Sequence, residues 1–401
     1  MGVLRYRDFR LLFTGQLVSL IGDALFVVAL SFAVLEETGS ESGLGIVLAA
    51  GSLPLVAFLL VGGVWADRLS RRRVMLVADL ARMLVQGVLA ALVLTGSASL
   101  GAFIVLYGLY GVGMAFFSPA STGLVPETLP DHELPRANGL LGTTRSLAAV
   151  AGGAFGGVLV ATIGPGSAIA VDGCTFAVSA LSLSLMHVGT TGGAGRERFL
   201  HELAVGWREV RARRWVWMTI LNVSLFLMLY VAPFDVIGPI VSQRELGGAI
   251  AWGVISASYA AGMALGGIAM IYVRFSRPVL YASWIFLVTS LAPLLLARAA
   301  PVPVICLAYA LDGTAVGLFV ATWDTALQRE IPPQVLSRVS AWDWMGSVAG
   351  MPLGYALTGP ALALVGEERT LYAMAGCALV LAVWMLTTPA IRRIGAVSAP
   401  A

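Results

Sequence analysis

Residues 62–73 read Gly62-Gly63-Val64-Trp65-Ala66-Asp67-Arg68-Leu69-Ser70-Arg71-Arg72-Arg73: paired glycines, one aspartate and four arginines set between two long apolar runs. Hydrocarbon does not tolerate that density of charge, so the stretch lies at a membrane surface. A loop kept only for solubility has no use for the glycines, which let one helix approach another closely. The stretch therefore reads as a short polar turn joining two membrane-crossing helices, and it fixes which side of the membrane they meet on.

Outward from this turn the chain is apolar. Of 401 residues, 58% are hydrophobic and 12% charged, with a mean hydropathy of +0.88. A water-soluble protein has too little interior to hide that fraction. Apolar runs of about 20 residues recur end to end, each long enough to cross about 30 Å of hydrocarbon as a helix. Twelve are expected, over 9–35, 44–66, 74–95, 100–122, 137–162, 166–188, 215–240, 249–272, 278–297, 302–324, 336–364 and 370–391. The runs are continuous rather than alternating and too long for barrel strands. The fold class is thus an all-α polytopic membrane protein with twelve transmembrane helices. The first run follows Arg5, Arg7 and Arg10 but is too long for a signal peptide and lacks a cleavage site, so it counts as the first span.

Every basic residue other than histidine is arginine; lysine is absent. The arginines fall on one side. They flank the first span (Arg5, Arg7, Arg10), the second to third turn (Arg68 to Arg73), the fourth (Arg136), the sixth (Arg196 to Arg214), the eighth (Arg274, Arg277), the tenth (Arg329, Arg338) and the twelfth (Arg392, Arg393). The opposite loops hold only Arg244, Arg298 and Arg369, diluted by acids such as Glu36, Glu37, Glu367 and Glu368. The positive-inside bias places both termini in the cytoplasm. The net charge of +3 reflects this topology, and no nucleic-acid partner is implied. A lysine-free, alanine-rich chain is expected from a high-GC bacterium, in its cytoplasmic (inner) membrane. Cys174, Cys306 and Cys377 fall inside apolar runs without paired spacing and read as packing residues.

The longest connection on the arginine side begins with the glycine-rich stretch 189–195 and continues as a helix bearing Phe199, Leu203, Val205 and Val210, with Trp207 and Trp215 as interfacial anchors. It divides the chain into an N-terminal bundle (1–188), a linker with an amphipathic helix (189–214) and a C-terminal bundle (215–401). The halves repeat: Pro130, Leu134 and Arg136 recur as Pro332, Leu336 and Arg338, an offset of 202 residues (332 − 130). Two pseudo-symmetric six-helix bundles follow.

The 62–73 motif resembles the signature loop between the second and third helices of the major facilitator superfamily, a class of secondary transporters, and the resemblance extends over essentially the whole chain. It implies two six-helix halves related by an axis along the membrane normal, a central substrate site and alternating access by rocking. It also implies a cytoplasmic gate motif of Gly63, Asp67, Arg68, Arg71 and Arg72. There Asp67 faces the start of the eleventh helix (338–341) and the arginine after it pairs with an acid near the end of the fourth, Glu127 or Asp131. The corresponding stretch of the second half, Gly266-Gly267-Ile268-Ala269-Met270-Ile271-Tyr272-Val273-Arg274, has no acid in Asp67's place, so only the first half carries the whole latch.

Enzyme chemistry finds no foothold. Without lysine there is no Walker A site and no Schiff base. His132, His187 and His201 are not in metal-binding spacing. No cofactor or metal is expected, and energy must come from a gradient. Intramembrane charges are costly and mark function by default, which singles out Asp23 in the first span, Arg145 in the fifth and Asp312 in the tenth as proton- or substrate-coupling residues. Burial is expected to ready Asp23 to exchange a proton, and Arg145 to hold a buried carboxylate or an anionic cargo group. Asp79 and Arg82, three apart on one helix, are expected to pair. Asp172 and Asp235 are expected near the outer ends of their spans, within reach of water. Asp324 and Asp343 flank the tenth to eleventh turn.

The first span around Asp23, and the fifth over 145–157, are similar to those of the multidrug and siderophore exporter branch of the superfamily. There are two departures: Gly153 stands where the drug-exporter motif has proline, and Tyr107 where drug antiporters carry an arginine. An apolar cavity is expected, lined by Phe26, Tyr107, Tyr110, Phe116, Phe226, Tyr230, Phe319 and Trp323. The chain is thus expected to be a monomeric, proton-coupled exporter of hydrophobic small molecules in the lipid bilayer. The alternatives are a siderophore, metabolite or lysophospholipid transporter on the same fold, or a non-transporting sensor or scaffold.

Overall fold

A computed structural model of the chain describes residues 2–187, 196–272, 284 and 286–389. Among them every regular element is helical. Ten helices are long and apolar enough to cross a membrane, and one shorter apolar helix, Phe286–Ala297, stands where the ninth span is expected. The fifth of the ten accounts for two spans. It runs Leu134–Ser184 and turns back on itself at Gly164, whose φ of 81° and ψ of 160° are followed by Pro165. That backbone conformation strains any residue with a Cβ. Among the described residues this makes eleven crossings and the one shorter helix, consistent with the twelve spans the sequence implies. Leucines and valines such as Val77, Leu84, Leu147, Leu181 and Val380 stay exposed on their outer faces, as lipid-facing positions do.

The chain divides into two compact units, one of Met1–Arg196 with Gly247–Ala257, the other of Glu197–Leu246 with Ser258–Ala401. In the first, the first span (Arg7–Thr38) packs along Leu134–Ser184, and the second (Glu41–Arg68) packs along the fourth (Leu100–Thr128). The third (Arg71–Leu94) lies against both the fourth and Leu134–Ser184. Serine caps open two of them: Ser40 Oγ accepts the Gly43 amide at 2.9 Å, and Ser99 Oγ accepts that of Ala102 at 3.2 Å. The opening of the eighth span belongs with this unit. Gly153 and Gly157 of the fifth span meet its backbone at Ala249, Gly253 and Ala257, so the missing proline at 153 leaves a flat contact surface.

In the second unit the seventh span, Arg214–Leu246, is not a regular helix. A wide turn over Leu227–Val231 interrupts it just before Pro233, which supplies no amide hydrogen. That turn carries Tyr230. The eleventh span is broken between Pro333–Val348 and Met351–Val365, ahead of Pro352, but runs unbroken through Pro360. The described part of the linker, Arg196–Ala212, packs within this unit: Gly206 abuts Arg338 and Trp342, Trp207 lies 4.9 Å from Trp342, and Val210 is buried.

Candidate functional site

In the first unit, charges converge inside the helices. Asp23 accepts a hydrogen bond from the Tyr110 hydroxyl at 2.5 Å, and the Arg82 guanidinium lies 3.8 Å from the same oxygen. Arg82 is 1% exposed; its other nitrogen donates to Asp79, three residues earlier, as the spacing predicts. Asp79 also accepts from Ser179 Oγ at 2.6 Å. The ring centroids of Phe117 and Phe176 each lie 4.3 Å from the guanidinium carbon, in cation–π contact. Asp172, expected within reach of water, is instead fully buried, accepting from Gln86 Nε2 at 2.7 Å. The physical reason is that the sixth span faces the third along its length, and Gln86 supplies the donor that lets a carboxyl sit there.

Asp23 itself keeps 23% of its side-chain surface open. Next to it stand Phe26, Tyr107 and Tyr110, with ring centroids 5.2 to 5.7 Å apart. A partly open carboxylate beside three aromatic faces suits a lipophilic cation.

The second unit holds a related bridge with the residue types exchanged. The Tyr230 hydroxyl of the seventh span lies 2.6 Å from Asp312 Oδ2 of the tenth and 2.8 Å from the Thr289 carbonyl oxygen of the ninth. Tyr110 and Asp312 are 202 residues apart (312 − 110), the offset of the internal repeat. In one half the first helix supplies the carboxyl and the fourth the phenol; in the other the first helix supplies the phenol and the fourth the carboxyl. Both bridges sit beside a close helix crossing. A Cβ on Gly111 would run into the Gly51 carbonyl, and one on Gly313 into that of Tyr259.

A sequence profile of the Major Facilitator Superfamily matches residues 12–347, most of the chain. The chain belongs to the major facilitator superfamily. It is 27% identical to the multidrug efflux pump Tap of Mycolicibacterium fortuitum over 394 residues, covering 94% of this chain and 95% of that protein. It is 23% identical to macrolide efflux protein A of Streptococcus pyogenes over 367 residues, 88% of this chain and 90% of that one. Among solved structures, the nucleoside transporter NupG superposes with a TM-score of 0.77 at 13% identity, covering 94% of this chain and 99% of the other. A bacterial homolog of the human lysosomal transporter Spinster gives 0.68 at 15%, covering 98% and 97%. Proteins of such different names share this fold, so the fold does not select a cargo.

Of the superfamily's gate motif, Gly63, Asp67 and Arg68 lie outside the residues whose side chains are described. Arg71 donates to Glu127 at 3.0 Å and to the Gly123 carbonyl at 2.7 Å; Asp131 stays exposed. Arg72 donates to the carbonyls of Leu183 and Ser184, at the C-terminal end of the sixth span, where a cation meets the negative end of the helix dipole. Glu133, missed in the sequence reading, is buried and pairs with Arg5 and Arg136 at 3.1 and 3.3 Å.

Arg145 is exposed and makes no ion pair among the described residues; the arginine that holds a buried carboxylate is Arg82. The buried stripe of the fifth span runs Leu141, Thr144, Ala148 and Gly152, and Arg145 sits off it. Asp235 is part-buried and accepts from the Tyr355 hydroxyl at 2.8 Å. Asp324 is exposed, while Asp343 accepts the Trp323 indole at 3.0 Å. Tyr230, Phe319 and Trp323 are buried in the aromatic core of the second unit, as is Phe226. The cysteines are free.

Proposed function

We propose that the chain is a secondary exporter of lipophilic, cationic small molecules, driven by proton exchange. It works as a monomer in a bacterial cytoplasmic membrane with both termini in the cytoplasm. The observation that carries this reading is Asp23: a part-open carboxylate inside a bundle, held by Tyr110 and Arg82 and flanked by Phe26 and Tyr107. The names of the relatives, multidrug and macrolide efflux proteins, agree with such a cargo. Asp23 supplies the cargo's counter-charge and the aromatic faces supply the apolar contact. The exposed Arg145 offers an anionic or zwitterionic cargo group a second handle, and Asp312 couples the cycle to protons. Arg71 and Arg72, with Gly63, Asp67 and Arg68, gate the cytoplasmic end.

The test is uptake of a fluorescent lipophilic amine into everted vesicles with an imposed acid-inside gradient. Wild type accumulates the amine against its gradient. Asp23→Asn weakens amine binding by about 2 kcal/mol, roughly thirtyfold, because a charge partner is removed. Equilibration that ignores the pH gradient identifies a uniporter and overturns proton exchange.

A further inference from the structure

We infer that Asp312, and not Asp23, carries the exchanged proton, and that this structure holds it in its protonated form through Tyr230; the inference rests on the proton-coupled export proposed above. Hydrogen counting carries it. The Tyr230 hydroxyl has one hydrogen and touches two oxygens within hydrogen-bond distance: the Thr289 carbonyl at 2.8 Å and Asp312 Oδ2 at 2.6 Å. A carbonyl has no hydrogen to give. If Asp312 were ionised, both neighbours would be acceptors competing for that hydrogen, and one short contact would be lone pair against lone pair. If Asp312 is protonated, both contacts are satisfied: the acid donates to Tyr230 Oη, and Tyr230 donates to Thr289.

The surroundings agree. Asp312 is fully buried, and its Oδ1 finds no donor among the described residues. A carboxylate there would leave a charge uncompensated in a low-dielectric interior, whereas a neutral acid leaves only one carbonyl-type oxygen unbonded. The titratable groups facing it are Tyr230 from the seventh span, Tyr259 from the eighth and Tyr309 from its own helix, with Asp235 beyond the last two. Asp235 is taken up by Tyr355. No arginine or histidine pairs with Asp312 among the described residues, in contrast to Asp23, whose oxygen has both the Tyr110 hydrogen and Arg82.

The exchange of residue types between the halves thus separates two tasks. The first half keeps a compensated, ionised carboxylate that a cation can approach; the second keeps a neutral acid that can lose a proton. When Asp312 gives its proton to water, the Tyr230 hydrogen turns to the new carboxylate and the Thr289 carbonyl loses its donor. Proton release therefore unfastens the seventh span from the ninth, at the wide turn that already interrupts the seventh helix.

Infrared difference spectroscopy of the full chain in liposomes at neutral pH tests the proton directly. The carboxylic-acid C=O band is expected to vanish in Asp312→Asn, to persist in Asp23→Asn and to move to higher frequency in Tyr230→Phe, where the acid loses its acceptor. A band that survives Asp312→Asn, or that vanishes in Asp23→Asn alone, overturns the inference. In the same liposomes Asp312→Asn, which keeps the side chain's shape, is expected to lose all response of amine transport to an imposed pH gradient. Undiminished gradient-driven accumulation in Asp312→Asn sinks the inference and leaves export standing. A wild type that moves no amine under any gradient sinks the export reading instead, and the infrared bands still decide where the proton resides.

Discussion

Replacing Arg82 by glutamine is expected to be the most damaging single change of charge in the protein. Arg82 is the one cation within reach of Asp23 and Asp79 among the described residues, and it is itself 1% exposed. Removing one partner of a buried pair leaves the other charge desolvated and unpaired, at about 3–5 kcal/mol. The loss includes the contacts of the guanidinium with the rings of Phe117 and Phe176. In detergent this should appear as a fall in apparent melting temperature on the order of 10 °C. The companion variant separates charge from packing. Asp79→Asn on the Arg82→Gln background removes the stranded carboxylate, so the double variant should be more stable than Arg82→Gln alone. If Arg82→Gln unfolds with wild type, or if the two losses simply add, the pair is not the structural centre of the first unit.

The sequence revealed those features that depend on composition along the chain. The 62–73 turn, the one-sided arginines and the twelve apolar runs each follow from the cost of putting charge or bare backbone into hydrocarbon, which applies residue by residue. The Asp79–Arg82 pair was visible because three residues make one helix face. What stayed hidden depends on helix rotation and on neighbours far away in sequence. Tyr110 meets Asp23 only because the fourth span turns that face inward. Arg145 is exposed because its position misses the buried stripe of the fifth span by one residue. The repeat was found through conserved types such as Pro130 and Pro332, yet the same offset joins Tyr110 to Asp312, where the types differ. A comparison of letters sees a mismatch there; the geometry shows the same phenol–carboxyl bond made from opposite sides. The wide turn at Leu227–Val231 was missed although Pro233 marked it, since a proline in an apolar run signals a break without specifying its form.

Gly111→Leu is expected to be as severe as the loss of Arg82, for a steric reason. Fourth and second spans touch backbone to backbone here: a Cβ on Gly111 meets the Gly51 carbonyl oxygen and carbon, neither of which can rotate away. Small residues drive helix association in lipid because contact depends on close approach rather than on expelling water. Overpacking a soluble core costs about 1–3 kcal/mol; with main chain as the obstacle, the helices themselves must separate, and about 3 kcal/mol is the lower end expected. The separation would also carry the phenol of neighbouring Tyr110 out of reach of Asp23. Gly313→Leu should act likewise through Tyr259 and would displace Asp312. Gly87, exposed on the third span with nothing within 4 Å of an added Cβ, provides the control. Gly87→Leu should be neutral or slightly stabilising, since leucine favours the helix. Melting curves of the three variants by size-exclusion chromatography after heating decide the matter. If Gly111→Leu and Gly87→Leu melt together, the crossing is looser than the backbone contact requires, and the bridge beside it does not depend on it.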